Sequence, residues 1–183
     1  MNINETDIAA VYVLESNVFR DDRGAFARYF CARELQDLLG QRTIVQINHS
    51  LTRGVGAIRG LHYQRVPAAE MKIVRCLKGC VLDVAVDLRQ GSPTFLKWAA
   101  VELSPDNQRA FVIPEGCAHG FQALDKDSEL LYLHTAYYTP DAEGAVRFDD
   151  PKVAIEWPLK PADLSARDLS HPYLEENFKG LAL

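Results

Sequence analysis

What most limits the fold open to this chain is the succession of short apolar segments through its middle. "TIVQINH", "MKIVRCL", "CVLDVAVDL", "FLKWAAVEL", "RAFVI", "GFQAL" and "ELLYLHT" are each five to nine residues long and rich in Val, Ile, Leu and aromatics. Turn signals separate them: "KG", "RQGSPT", "SPDN", "PEG", "DKDS" and "TPDAEG". Runs of this length and composition, punctuated this way, read as strands. Strands at regular short spacing predict a mainly β chain, a jelly-roll β-sandwich or barrel with a few short helices. The clearest helix is predicted over "CARELQDLLG". There Cys31, Leu35, Leu38 and Leu39 follow i, i+4, i+7, i+8, and Gly40 stands where a C-terminal cap belongs. From Arg147 onward the sequence is irregular and polar, and is expected to wrap over the body or turn helical near its end.

At 183 residues the chain reads as one domain, residues 1–183, large enough to bury a full core. No stretch of 18 apolar residues exists, and the start "MNINETDIAA" lacks the basic-then-apolar order of a signal peptide. A cytoplasmic protein with no membrane partner is the expectation. A net charge of −5 argues against a nucleic-acid partner while leaving room for a local basic pocket. Cys31, Cys76, Cys80 and Cys117 show no CxxC spacing and read as small hydrophobes rather than a disulfide or thiolate framework.

Polar residues set on these strands point to a site. On "MKIVRCL", Lys72 shares its face with Val74 and Cys76; on "ELLYLHT", Tyr132 shares its face with Leu130 and His134. On "VLDVAVDL", Asp83, Ala85 and Asp87 fall opposite Leu82, Val84, Val86 and Leu88. Lys72 and Tyr132 are candidates for a cavity lined by strands; taken singly, each reads more simply as a snorkelling lysine and a satisfied core tyrosine. "AIRGLHYQ" is sharper. Arg59 and His62 are three apart, so strict alternation puts them on opposite faces, unless Gly60 marks a bulge that shifts the register. His119, after the turn in "IPEGCAHGF", suits a pocket rim, whereas His49, His134 and His171 read as surface or structural residues.

"FRDDRGAF", "VQINHS", "IRGLHYQ", "KIVRCLKGCVLDVAVDLRQGSPTF", "IPEGCAHGF", "LLYLHTAYYTP" and "DDPKVAIEWPL" resemble, in order, the signature blocks of the dTDP-4-dehydrorhamnose 3,5-epimerase family. The resemblance runs from Phe19 to beyond Asp168. It implies a cupin-type jelly roll, a homodimer, no metal and no cofactor. It also implies a nucleotide-diphosphate sugar substrate, a 4-keto-6-deoxy hexose inverted at C3 and C5 on the way to dTDP-rhamnose.

By resemblance His62 is the base that removes a proton beside the C4 ketone, work that suits an imidazole with its ordinary pKa near ~6.5. Asp168 in "LSARDLS" matches the aspartate that orients it, Lys72 the cation that stabilises the enolate, and Tyr132 the acid on the opposite face. Arg23 and Arg59 match phosphate contacts. Gln46, Asn48, His119, Glu143 and Arg167 align with further substrate contacts, and Tyr138 with an aromatic that stacks on the nucleotide base.

The chain departs from the family pattern at a glutamate that is here Arg28. It also departs in "LYKTTDYY", which here carries Leu133, His134 and Ala136. These departures leave the nucleotide and the exact sugar open, and the sequence does not decide between single and double epimerisation. Two other readings stand beside this one. In a metal-binding cupin, His62, Glu70 and His119 would be ligands and Gln64 would replace a second histidine, although Glu70 can equally be a solvated loop residue. The other is a non-catalytic sugar-binding relative, which would have no use for an acid and a base across a ring.

Overall fold

A computed structural model describes residues Met1–Leu183. Two antiparallel sheets face each other. The first, of six strands, runs β1 (Asn2–Glu5), β2 (Tyr12–Glu15), β10 (Arg109–Ile113), β7 (Lys72–Lys78), β12 (Ser128–His134) and β5 (Gln46–Thr52). The second, of five, runs β13 (Glu143–Ala145), β6 (Ile58–Gln64), β11 (Cys117–Ala123), β8 (Val81–Asp87) and β9 (Trp98–Leu103). β3 (Val18–Asp21) and β4 (Gly24–Ala27) pair only with each other, as a separate hairpin. Mainly β, antiparallel and sandwiched, this is the jelly-roll architecture expected of the strand pattern.

Both faces of each sheet are covered, which explains why the strands are so apolar. The inner core joins Val74, Phe111 and Leu130 of the first sheet to Val81, Ala85 and Phe121 of the second. The outer face of the first sheet buries Ile73, Val112 and Leu133 against Leu35 and Leu39. That of the second sheet buries Val84, Val86 and Leu61, with Ile155, Trp157 and Phe178 of the C-terminal segment packed over them. The segment after Arg147 therefore does wrap the body. Phe111 and Phe121 are buried between the sheets, and truncating either to alanine costs about 3–5 kcal/mol.

The alternation fixes which polar residues look inward. Val74 and Cys76 lie in the inner core, so Lys72 on their face does too; Leu130 carries Tyr132 and His134 with it. On β8 the aspartate face is the inner one, because Val81 and Ala85 belong to the inner core. The early helix is shorter than its periodicity implies. Only α1 (Gln36–Leu39) is helical, after turns over residues 32–35, because Leu35 departs from helical geometry at ψ 14°. Gly40 does cap it, at φ +58°. The four cysteines are free, as their spacing implied, and burial pushes the Cys76 and Cys117 thiols up to about 12.

Candidate active site

At one end of the sandwich the sheets part around a cavity of about 850 Å³, walled by β5, β6, β7, β11, β12 and the segment around α2 (Ala166–Ser170). A bulge brings Arg59 and His62 into it together. His62 stands opposite His119 and Arg59 opposite Phe121, so three steps along β6 match two along β11. Gly60 permits this. Its φ is +120°, and a Cβ there would sit 2.6 Å from the Cα of Gly120. No bulkier residue fits so close an approach of two backbones.

His62 Nε2 donates to Asp168 Oδ1 at 2.8 Å, since a carboxylate only accepts. That tautomer leaves Nδ1 carrying the lone pair. Asp168 is placed by the cap of α2, where Ser165 Oγ accepts its backbone N–H at 3.0 Å. Burial of Asp168 would push its pKa up, but the hydrogen bond and charge of His62 outweigh that and hold it below the usual carboxylate range. His171, expected to be a surface or structural residue, packs edge-on against His62 with ring centroids 6.0 Å apart. Burial and the neighbouring His62 lower its pKa.

Across the cavity Tyr132 lies half-buried, its hydroxyl 3.0 Å from Ser50 Oγ. Loss of water around the phenol pushes its pKa well up, which keeps it protonated at neutral pH. Lys72 Nζ lies 3.2 Å from Glu70 Oε1, and Glu70 Oε2 accepts from His134 Nδ1 at 2.7 Å. Glu70 is therefore buried and paired rather than solvated. Burial opposes its ionisation, yet the His134 hydrogen bond and the Lys72 charge outweigh that and lower its pKa. His134, too, is a cavity residue and not a surface one, its ring stacked on Tyr132 at 6.1 Å. His119 Nε2 donates to Asp83 Oδ1 at 2.7 Å, both side chains buried.

Asn48, Arg59, His62, Lys72, His119, Tyr132, Arg167 and Asp168 all line this one cavity. Gln46, Tyr138 and Glu143 stand just outside it. Gln46 bonds Asn48 and the Tyr138 backbone, and Glu143 accepts from the Tyr138 hydroxyl while pairing with Arg167. Arg59 Nε donates to Thr52 Oγ1 at 2.9 Å, tying the two sheets together at the mouth. Arg23 is the exception. It sits at the tip of the β3–β4 hairpin, fully exposed and paired with Asp21, and does not reach the cavity of its own chain. Arg28 follows the same hairpin and pairs with Glu34.

Sequence reasoning missed Asp83, His134 and His171 as members of the site, and named Glu70 only as a metal ligand rather than as the partner of Lys72. A signal existed for two of them: Asp83 is a charge inside an apolar strand, and His134 shares the parity of Tyr132. The metal-cupin ligand set does not assemble. His62 is held by Asp168, Glu70 by Lys72 and His134, and His119 by Asp83. The group whose ligand atoms lie within 4.8 Å of one another is instead His62, Asp168 and His171.

The family model described as dTDP-4-dehydrorhamnose 3,5-epimerase matches residues 5–176. The chain belongs to this family. The dTDP-4-dehydrorhamnose 3,5-epimerase of Salmonella typhimurium is 44% identical over 178 residues, 96% of this chain and 97% of that one. The crystal structure of the Elizabethkingia anophelis enzyme of the same name superposes with a TM-score of 0.91 at 36% identity, covering 97% of this chain and 98% of that one. The dTDP-6-deoxy-D-glucose-3,5-epimerase of Legionella pneumophila, solved in complex with dTDP-4-keto-L-rhamnose, gives 0.89 at 41% identity, over 94% and 92%.

Proposed function

We propose that this chain, a single cupin-like domain over residues 1–183, inverts C3 and C5 of a nucleotide-linked 4-keto-6-deoxy hexose, dTDP-4-dehydro-6-deoxyglucose, to give dTDP-4-dehydrorhamnose. One observation carries the reading: a histidine held by a carboxylate and a tyrosine kept protonated line the same cavity, with a lysine between the sheets beside them.

The C4 ketone acidifies the hydrogens on C3 and C5. His62 Nδ1 takes one of them, and Asp168 stabilises the imidazolium that forms. The bonding pair moves into the ring and onto the C4 oxygen, whose charge the Lys72 ammonium meets. One such preorganised contact is worth on the order of 10²–10³ in rate. Tyr132 then delivers a proton to the opposite face of the carbon, which inverts it, and solvent restores both groups. Arg59 grips the diphosphate, Asn48, His119 and Arg167 hold the sugar, and Gln46, Tyr138 and Glu143 form the nucleotide end.

We further propose a cytoplasmic homodimer. The β3–β4 hairpin holds Phe19 and Phe26 opposite one another, each 69% exposed. A second copy would take that apolar pair out of water. The phosphate contact of Arg23 is then made in the partner's cavity.

Proton NMR of the chelator-treated protein with dTDP-4-keto-6-deoxyglucose in deuterated buffer tests the reaction. Deuterium at both C3 and C5 is expected. Deuterium at one carbon only would cut the reading to a single epimerase. Exchange only with a GDP- or CDP-linked 4-keto sugar would reassign the nucleotide, and no exchange with any of them would reject the reading.

A further inference from the structure

The cavity wall holds a histidine for which the proposed reaction has no task. His134, at the end of β12, stands opposite Lys72 on β7 and opposite Gln46 on β5, so its position lies between those two residues. It also sits in a run of hydrogen bonds whose direction can be assigned link by link. The Tyr138 backbone N–H donates to Gln46 Oε1 at 3.0 Å, which turns Gln46 Nε2 toward Asn48 Oδ1 at 3.3 Å. Asn48 Nδ2 therefore faces His134 Nε2, at 3.3 Å, as donor. With Nε2 accepting, Nδ1 carries the proton and donates to Glu70 Oε2. The other carboxylate oxygen, Oε1, is left for Lys72.

Resting on the function argued above, we propose that His134 is a positioning residue for the epimerisation. By holding Oε2 of Glu70 it makes Oε1 the sole anchor of the Lys72 ammonium, and so sets where that cation meets the oxyanion developing at C4. Without the imidazole, the Glu70 carboxylate turns both oxygens on Lys72 and draws the cation out of line. The Lys72 and Glu70 side chains are only 12% and 7% exposed, so water cannot take over the missing donor. A short polar side chain at this place, such as the family's threonine, cannot span to Glu70 and Asn48 together.

The experiment compares kcat and KM of the full-length protein on dTDP-4-keto-6-deoxyglucose for His134→Leu, His134→Asn and Glu70→Gln, with His134→Leu also placed in a Lys72→Ala background. His134→Leu is expected to lower kcat about 10-fold with KM within about 2-fold, a fraction of what losing a direct oxyanion contact costs. His134→Asn, whose amide N–H points where Nδ1–H did, regains most of that loss. In the Lys72→Ala background His134→Leu has no further effect, because the residue it acts through is gone. Equal losses in both backgrounds, a loss confined to KM, or no rescue by asparagine would each overturn the proposal. If His134→Leu does not fold, Glu70→Gln carries the same test: a kcat loss that vanishes on Lys72→Ala supports the proposal and full activity rejects it. The two readings fail separately. A wild-type protein that incorporates no deuterium sinks the reaction itself, whereas wild-type exchange matched by His134→Leu sinks only the role of His134.

Discussion

Asp83 and Asp87 lie four residues apart on the same inward face of β8, both with no solvent exposure, yet the protein treats them in opposite ways. Asp87 is saturated. It accepts from the backbone and guanidinium of Arg89 and from the hydroxyls of Ser92 and Thr94. Burial opposes its ionisation, but these donors outweigh it and hold its pKa at about 2. Asp83 has a single partner, His119, and its second oxygen meets no donor at all. Burial there prevails over the His119 charge and raises the pKa. A carboxylate with every lone pair used fastens a loop; one left short is a group held ready beside the cavity.

Three substitutions sharpen or break that contrast. The largest effect is expected on the site side. His62→Ala should lower kcat of the folded protein by about 10³-fold, the range for a lost general base. A variant that keeps deuterium exchange at C3 and C5 would remove His62 from the role of base.

Next comes the fastening side. Asp87→Ala strands the Arg89 guanidinium and two hydroxyls, and should cost about 3 kcal/mol in denaturant unfolding while the folded fraction retains wild-type kcat. The pH dependence has a definite sign. The folded pKa of Asp87 lies below the ordinary 3.8, so its contribution is present above that value and is lost as pH falls toward about 2. It amounts to about 1–2 kcal/mol once screening at the rim of the Arg89 pair is allowed for. Wild type should therefore lose about 1–2 kcal/mol more stability on acidification over that window than Asp87→Ala does. Parallel curves for the two proteins would break the comparison.

The smallest expected effect is the most telling. Asp83 has a raised folded pKa, so the folded state loses stability as pH climbs through it. Asp83→Asn removes that penalty and keeps an acceptor for His119. Its unfolding midpoint at pH 7 should be equal to or above wild type, with kcat/KM down about 10-fold as the grip on the His119 ring weakens. A clear drop in stability would place Asp83 in the same class as Asp87.

The sequence made the sandwich legible because both faces of its central strands, such as β7, β8, β10 and β11, are covered, which leaves Val- and Leu-rich runs between Gly and Pro turns. It made His62, Lys72, Tyr132 and Asp168 legible through the signature blocks, and strand parity put Lys72 and Tyr132 on inward faces. Parity failed at His62 and Arg59, where a bulge adds one residue, and only Gly60 hinted at it. The Glu70–His134 pair was hidden for a different reason. Its partners are 64 residues apart, on a loop and a strand, and no local pattern announces a hydrogen bond between them. Arg23 shows a third limit. A residue can match a motif and still lie outside the cavity of its own chain.

The back-to-back glycines of β6 and β11 have a consequence for how such a site can change over time. A Cβ on Gly60 meets the Gly120 backbone at 2.6 Å, and a Cβ on Gly120 meets the Arg59 carbonyl oxygen at 2.7 Å. Neither position can drift alone to any other residue without pushing the strands apart, and no substitution of the partner relieves it, because the partner already has no side chain to give up. The offset that aligns Arg59 with His62 is therefore closed to single-step variation. A single substitution that reshapes the cavity while keeping that offset must therefore fall on other lining residues, His134 and Tyr132 among them.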